Sequence, residues 1–442
     1  MSDRIAELKI EDINPVKKKL TIEVPWDDVK QELDEEYKLV GRKAKIRGFR
    51  PGKVPRNILV SHYRDQVENE TITKLITRHY SEAVQKNNIL AVDQPQIEQD
   101  GIEENKDFSF TATVETQPEI DPQGYKGIET EKERFDVTGD DVDKRIQQIR
   151  EMYAQLEEVK EERGIRKDDF TLIDFEISVD GEVIDEFTSK DYMLQVGSGR
   201  LIPNFEDKLV DMKKGETKED TVTFPEDFDS KNVAGKEGTF TVTVKDIREK
   251  ILPALDEDFI KNFEKYETID DLKDDVTKSL EEEEKMRVEG DLRKRLIDKL
   301  LESNEFEIPN AWVEQQIYYM MVDAQRRMVG NGMNQEKATE ISMNLHETFK
   351  DEAVRIVKTS VLIGKISEKE SITVDESDIE DKIKSMGERY GRDYESMKKL
   401  YDNEDMQNRL RDELMDEKTF KFIEEHAIIT EVDKKPDTEE KN

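Results

Sequence analysis

The sequence predicts a multidomain α+β protein. It has an α+β N-terminal part, a central part of short antiparallel strands with one short helix, and an all-α C-terminal part. Three observations predict this. The 442 residues exceed one domain at about 100–200 residues each. The hydrophobic fraction is 34% against 40% charged, too little for one large spherical core and suited to an elongated, helix-rich chain. The hydrophobic pattern switches between strand-like alternation and helical spacing, with Pro and Gly at the switches.

Residues 1–24 alternate and end in Lys19-Leu20-Thr21-Ile22-Glu23-Val24, a strand that Pro25 stops. Trp26 to Ala44 carries Val29, Leu33, Tyr37 and Val40 at helical spacing. Gly48 and Pro51-Gly52 then force a loop. Pro55 suits the first turn of the next helix, where its missing N–H costs little. That helix carries Ile58, Leu59, Tyr63 and Val67, and a further helical segment runs through Ile72, Leu75, Ile76, Tyr80 and Val84. Residues 107–116 alternate as a strand, so 1–116 reads as one α+β domain.

Residues 117–164 read as a linker followed by a helix that packs with the C-terminal part. The stretch 117–131 holds two Pro and two Gly, and a charged helix covers roughly 139–160 after Thr138. Val142, Ile146, Ile149, Tyr153 and Leu156 form its stripe. Residues 165–249 read as a compact domain of strands at 170–179, 191–196, 216–224 and 238–247, with a short helix after Ile202-Pro203-Asn204-Phe205-Glu206. Residues 250–432 are helical in pattern, Glu281–Glu284 being a solvated helix face, and 433–442 is a polar, disordered tail.

The net charge of −36 argues against a protein that coats DNA or an anionic membrane with its whole surface. The absence of cysteine excludes disulfides, zinc ribbons and thiol nucleophiles. Four scattered histidines make a metal site improbable, and no cofactor is expected. No secretory signal and no membrane-spanning run is evident, so a cytoplasmic protein is the expectation.

One window departs from the rest. Between Tyr37 and Arg56 stand Lys38, Arg42, Lys43, Lys45, Arg47, Arg50, Lys53 and Arg56, with no acid. Such a window suits docking on a polyanion, since Lys and Arg neutralise phosphates and release counterions. Phe49 lies at the apex of the loop, either buried or as an exposed anchor beside arginines.

Gly48-Phe49-Arg50-Pro51-Gly52-Lys53-Val54-Pro55 resembles the G-F-R-x-G-x-x-P signature of the trigger factor family of ribosome-associated chaperones. The resemblance implies docking beside the nascent-chain exit tunnel, on a large-subunit ribosomal protein and adjacent rRNA. Phe49 and Arg50 would be the contacts, with Lys53, Lys45 and Arg47 sharing the load. Many members have lysine where this chain has Pro51.

Residues 165–249 resemble the FKBP-type peptidyl-prolyl isomerase domain. The resemblance is carried by Ile173-Asp174-Phe175, Asp180-Gly181, Gly197-Ser198-Gly199, Leu201 to Glu206, Lys214-Gly215-Glu216, Phe224 to Phe228 and Gly238 to Val242. By family position Phe175, Ile184, Tyr192, Leu201, Ile202, Phe205, Phe228 and Phe240 would line the pocket, and Asp185 would be its carboxylate. Pattern alone favours reading these aromatics as the core of a small sheet; residue order and the flanking glycines reverse that. Two departures stand out: Ile184 replaces the usual Phe, and Glu186-Phe187 replaces a glycine pair. The chemistry needs neither nucleophile nor metal. Rotation about X–Pro is slow because the amide C–N bond has partial double-bond character. An apolar pocket disfavours the polar planar amide relative to the twisted transition state.

Ten of the 14 methionines fall between Met286 and Met415. Ile317, Met320, Met321, Ala324 and Met328 share one helical stripe, which with Met343 is either packing core or a pliable surface. The resemblance implies arms that cradle nascent and unfolded polypeptides, and a homodimer off the ribosome. Two other readings stay open: a free isomerase whose other domains present substrate, and a ribosome-independent holdase. The basic window argues against both.

Overall fold

The computed structural model describes residues 7–50, 52–179, 182–184, 187–199, 201, 205–224 and 233–434. Strands β1 (Glu7–Asn14) and β2 (Lys17–Val24) form a hairpin. Pro25 ends β2 and opens α1 (Trp26–Lys43). Asp27 and Asp28 in its first turn, and Arg42 and Lys43 in its last, complement the helix dipole. Helix α2 (Arg56–Lys86) consists of two helical stretches, as the spacing predicts, but they join at a kink at Tyr63, whose backbone leaves helical values at φ −130° and ψ 16°, rather than after Val67. Strands β3 (Gln96–Gln99) and β4 (Phe108–Glu115) complete an antiparallel sheet ordered β1-β2-β4-β3. Phe108, Phe110, Ala112 and Val114 alternate onto its buried face and pack with Val29, Ile72 and Leu75 of the two helices.

The segment expected as a linker is itself packed. Ile120, Tyr125 and Ile128 enter a helical core. The Tyr125 hydroxyl donates to Glu370 Oε1 at 2.6 Å, and that bond pushes its pKa up to about 12. Strand β5 (Glu129–Glu133) follows. Helix α3 (Gly139–Met152) starts at a capping box of Thr138 and Asp141. It stops short of the predicted end because β6 (Gln155–Glu158) is extended and pairs with a central strand, placing Leu156 in the sheet.

The central sheet contains β7 (Phe170–Val179), β8 (Glu182–Val183), β9 (Ser189–Gln195), β10 (Thr217–Thr223) and β11 (Glu237–Ile251). Strand β11 pairs with β10, β7 and β6, while β9 and β8 pair with β7, all antiparallel. Ile173, Phe175, Ile177 and Val179 of β7 alternate into the core.

After β11 come α4 (Glu257–Ile260), α5 (Ile269–Ser303), α6 (Asn310–Gly330), α7 (Gln335–Asn344), α8 (His346–Glu370), α9 (Glu376–Tyr390), α10 (Tyr394–Leu400) and α11 (Glu404–Glu425). The helical region closes on a strand that its pattern does not announce, β12 (Ile428–Val432), paired with β5. One compact unit joins the chain up to Lys132 with Gly290–Val432; the other contains Glu133–Glu289 with Asp433 and Lys434. In the second unit Ile146 of α3 packs with Phe259, Ile260, Leu272 and Val276. There the solvated-face expectation holds for Glu281–Glu283 but not for Glu284, which is largely covered. Arg287 at 2.8 Å and Lys434 at 3.2 Å draw its carboxyl down to about 2. Among the described residues, no helix is long and apolar enough to cross a membrane.

Candidate functional site

The basic window spans the C-terminal half of α1, the loop after it and the first residue of α2. Ile46 and Val54 anchor the loop by packing on a small core of Tyr37, Ala44, Leu59 and Val67. Gly52 N–H donates to Gly41 O at 3.1 Å, which ties the far arm of the loop back to α1. The tip is thereby held outward, with Phe49 39% exposed. Arg56 pairs with Asp34 and lies over the Tyr37 ring at 4.9 Å. The other seven bases, Lys38, Arg42, Lys43, Lys45, Arg47, Arg50 and Lys53, are exposed and have no acidic partner among the described residues. Other bases of this chain are paired, as Lys214 is with Glu158 and Asp246, and Lys382 with Glu413 and Glu417. Pro51 lies outside the described residues.

In the central domain four aromatic rings converge. Phe175 from β7 meets Tyr192 of β9 edge-on at 5.7 Å and Phe205 at 5.8 Å. Phe205 meets Phe240 of β11 at 4.7 Å, and Phe240 is fully buried. Ile184 and Leu201 pack half-buried against the same core. The structure therefore brings Phe175, Ile184, Tyr192, Leu201, Phe205 and Phe240 together, while Asp185, Ile202 and Phe228 lie outside the described residues. Phe187, part of the departure at the glycine pair, is also half-buried on this core and tilts on Phe224 at 5.5 Å. On the other face of β7, Lys245 bridges Asp174 at 2.8 Å and Asp191 at 2.7 Å, which lowers the Asp174 carboxyl. The arrangement is an apolar aromatic cluster, with Phe205 and Phe240 fully buried and Tyr192 half-buried at its edge.

One site feature goes beyond the residues named from sequence. Glu206, at the start of a 3₁₀ turn (Glu206–Leu209), has a buried carboxylate that accepts hydrogen bonds from the backbone N–H groups of Gly197, Gly199 and Leu201. The signal in the sequence was the glycine pair followed by the run Leu201 to Glu206, which marks the motif without giving Glu206 a role.

The helical stripe divides. Ile317 and Ala324 are buried, so they are core rather than client surface in this conformation. Ile317 packs with Val313 and Ala353, and Met320 and Met321 lie half-buried on that cluster. Met328 is half-buried and Met343 is 63% exposed on α7. The exposed apolar groups on α6 are instead Tyr318 and Tyr319, at 62% and 55%. Tyr319 also lines a cleft of about 400 Å³ with Trp312, Gln315 and Val361. A tyrosine pair beside a methionine stripe was visible in the sequence; which face a neighbouring helix covers was not.

The family model for the FKBP-type peptidyl-prolyl cis-trans isomerase matches residues 161–245, which contain the aromatic centre. The fold and this centre thus define a multidomain protein carrying an FKBP-type domain. Models described as "Bacterial trigger factor protein (TF)" and its C-terminus match residues 6–149 and 268–425. The chain is 47% identical over 444 residues to the trigger factor of Syntrophus aciditrophicus (strain SB), covering all of both chains. It is 35% identical to that of Geobacter metallireducens, over 96% of this chain and 98% of that one. A solved structure described as "Promiscuous Substrate Recognition in Folding and Assembly Activities of the Trigger Factor Chaperone" aligns over 94% of this chain and 98% of that chain, at 21% identity and a TM-score of 0.48. The chain belongs to the trigger factor family.

Proposed function

We propose that this protein is a ribosome-associated chaperone of the cytoplasm. It docks on the large ribosomal subunit through Phe49 and Arg50, with Lys45, Arg47 and Lys53 engaging adjacent rRNA. The observation that carries the reading is the tip itself: an outward aromatic ring among bases that have no acidic partner among the described residues. Leaving so many bases unpaired in a chain of −36 makes sense where an external polyanion supplies the counter-charge. The acidic remainder confines that contact to the tip by repulsion. The N-terminal domain, 1–116, presents the loop, and the helical part, 250–432, shields emerging chains. Off the ribosome, the same tip is free to join a homodimer.

Proline isomerisation is an accessory activity of residues 165–249. The substrate proline ring enters the socket of Phe175, Tyr192, Phe205 and Phe240. Loss of water there disfavours the planar amide, whose dipole is largest, relative to the twisted transition state. Phe187 adds ring surface near the position where Ile184 lacks it. A photo-crosslinking residue placed at position 49 tests the docking reading. It should join the protein to a protein of the large subunit in purified ribosomes, and crosslinks to the small subunit alone would refute it.

A further inference from the structure

We propose that Glu206 is a positioning residue of the isomerase centre: its buried carboxylate gathers Gly197, Ser198, Gly199 and Leu201 and so fixes Leu201 and Phe205, two walls of the aromatic centre. The inference rests on the isomerase reading above. Glu206 is 6% exposed. Its Oε2 accepts from Gly197 N–H at 2.7 Å and from Gly199 N–H at 3.1 Å. Its Oε1 accepts from Leu201 N–H and from the Ser198 hydroxyl, both at 3.3 Å. A carboxylate taken out of water is costly unless its lone pairs are met, and here they are met by donors of one turn.

The backbone explains how one carboxylate reaches so many donors. Gly197 and Gly199 have φ of +92° and +68°, in the left-handed region. Placed two residues apart, they turn alternate N–H groups inward and make a concave anion nest. At Gly197 a Cβ would also come within 3.0 Å of Lys167 Cγ. The near end of the turn is rooted separately, by Val196 N–H donating to Asp169 O at 2.9 Å. Its far end has Glu206 as anchor.

The link to the site lies in what adjoins the nest. Glu206 directly follows Phe205, the ring that touches both Phe175 and Phe240. Leu201, the last donor, packs half-buried on the same core. The carboxylate therefore holds Leu201 by hydrogen bond and Phe205 by chain connection. A wall displaced by even an ångström degrades a near-attack geometry, so the nest bears on rate and not only on folding.

The test uses the full chain with Glu206→Gln and Glu206→Asp, and isomerisation of a proline-containing tetrapeptide. In Glu206→Gln the amide turns an N–H₂ toward the same donors. Its kcat/KM should fall by about ten- to a hundredfold at a temperature where circular dichroism shows it folded. Amide exchange at Gly197, Gly199 and Leu201 should accelerate in the same variant. Glu206→Asp keeps the charge with shorter reach and should lie between wild type and Gln. A folded Gln variant with wild-type kcat/KM, or with unchanged protection of those amides, overturns the proposal. If the Gln chain does not fold, Asp decides, and unchanged kcat/KM in it overturns the proposal equally. A wild type without isomerase activity removes the isomerase reading and this inference with it; an active wild type beside an equally active variant removes only this inference.

Discussion

The two phenylalanine-bearing turns of this chain, at Phe49 and at Phe205, are built in opposite ways. At Phe49 the ring is exposed and the charges around it are unpaired among the described residues. At Phe205 the ring is buried among other rings, and the neighbouring charge, Glu206, is saturated with donors. The loop at Phe49 hangs on a few apolar side chains, Ile46 and Val54, whereas the turn at Phe205 belongs to the largest hydrophobic cluster among the described residues. The difference teaches how to read a site. Unsatisfied charge outside a core marks a surface awaiting a partner. Satisfied charge inside a core marks a shape that must not move.

The largest effect expected from that contrast is on stability. Phe205→Ala should leave a cavity and destabilise the central domain by about 3–5 kcal/mol. It should also remove most isomerase activity. Phe49→Ala, by comparison, should stay within about 0.5 kcal/mol of wild type in a denaturant melt. Equal destabilisation by the two would erase the distinction between tip and socket.

A second effect concerns salt. If the bases at the tip meet phosphates, the affinity for ribosomes falls steeply with ionic strength. Lys45→Gln and Arg47→Gln should each flatten the plot of log affinity against log salt by about one unit. No change of slope would mean that these bases touch no phosphate. A smaller effect is expected on the client surface. Replacing Tyr318 and Tyr319 by serine should weaken suppression of aggregation of an unfolded protein by about fivefold, the size of one contact of ~1 kcal/mol. Turbidity of a refolding client measures it, and full protection by the double variant would leave α6 without a client role.

The smallest effect is a pH dependence in the N-terminal domain. Burial, with the Arg78 guanidinium beside it, holds the His79 pKa below that of free imidazole. The neutral ring is then the folded form. Its contribution to stability is complete above the unfolded value of about 6.5 and is lost as pH falls below it toward the lower folded value. The N-terminal domain should melt earlier below about pH 6.5, and His79→Gln should flatten that dependence. A flat melting profile in wild type across this range would contradict it.

How much was legible in the sequence follows from how local each signal is. The basic window could be counted from neighbouring residues alone, and α1 and β4 followed from spacing and alternation. Whether Phe49 faced in or out could not be read, because it depends on Ile46 and Val54 packing across to α1 and α2. Strand β5 was hidden in a stretch with Pro and Gly because its partner, β12, lies near the far end of the chain. Leu156 fitted a helical stripe, yet pairing with β11 overrode local spacing. Periodicity found the Ile317 stripe but could not say that α8 would cover Ile317, leaving Tyr318 and Tyr319 outward. The role of Glu206 needed three dimensions, since its donors are separated from it by the chain that carries Phe205.

The most direct test of the central claim is co-sedimentation with 70S ribosomes across a salt series, comparing wild type with Phe49→Ala/Arg50→Ala. The account predicts that wild type pellets at low salt and is released as salt rises, while the folded double variant stays in the supernatant throughout. Equal pelleting of both proteins, or no pelleting of wild type at low salt, would contradict it.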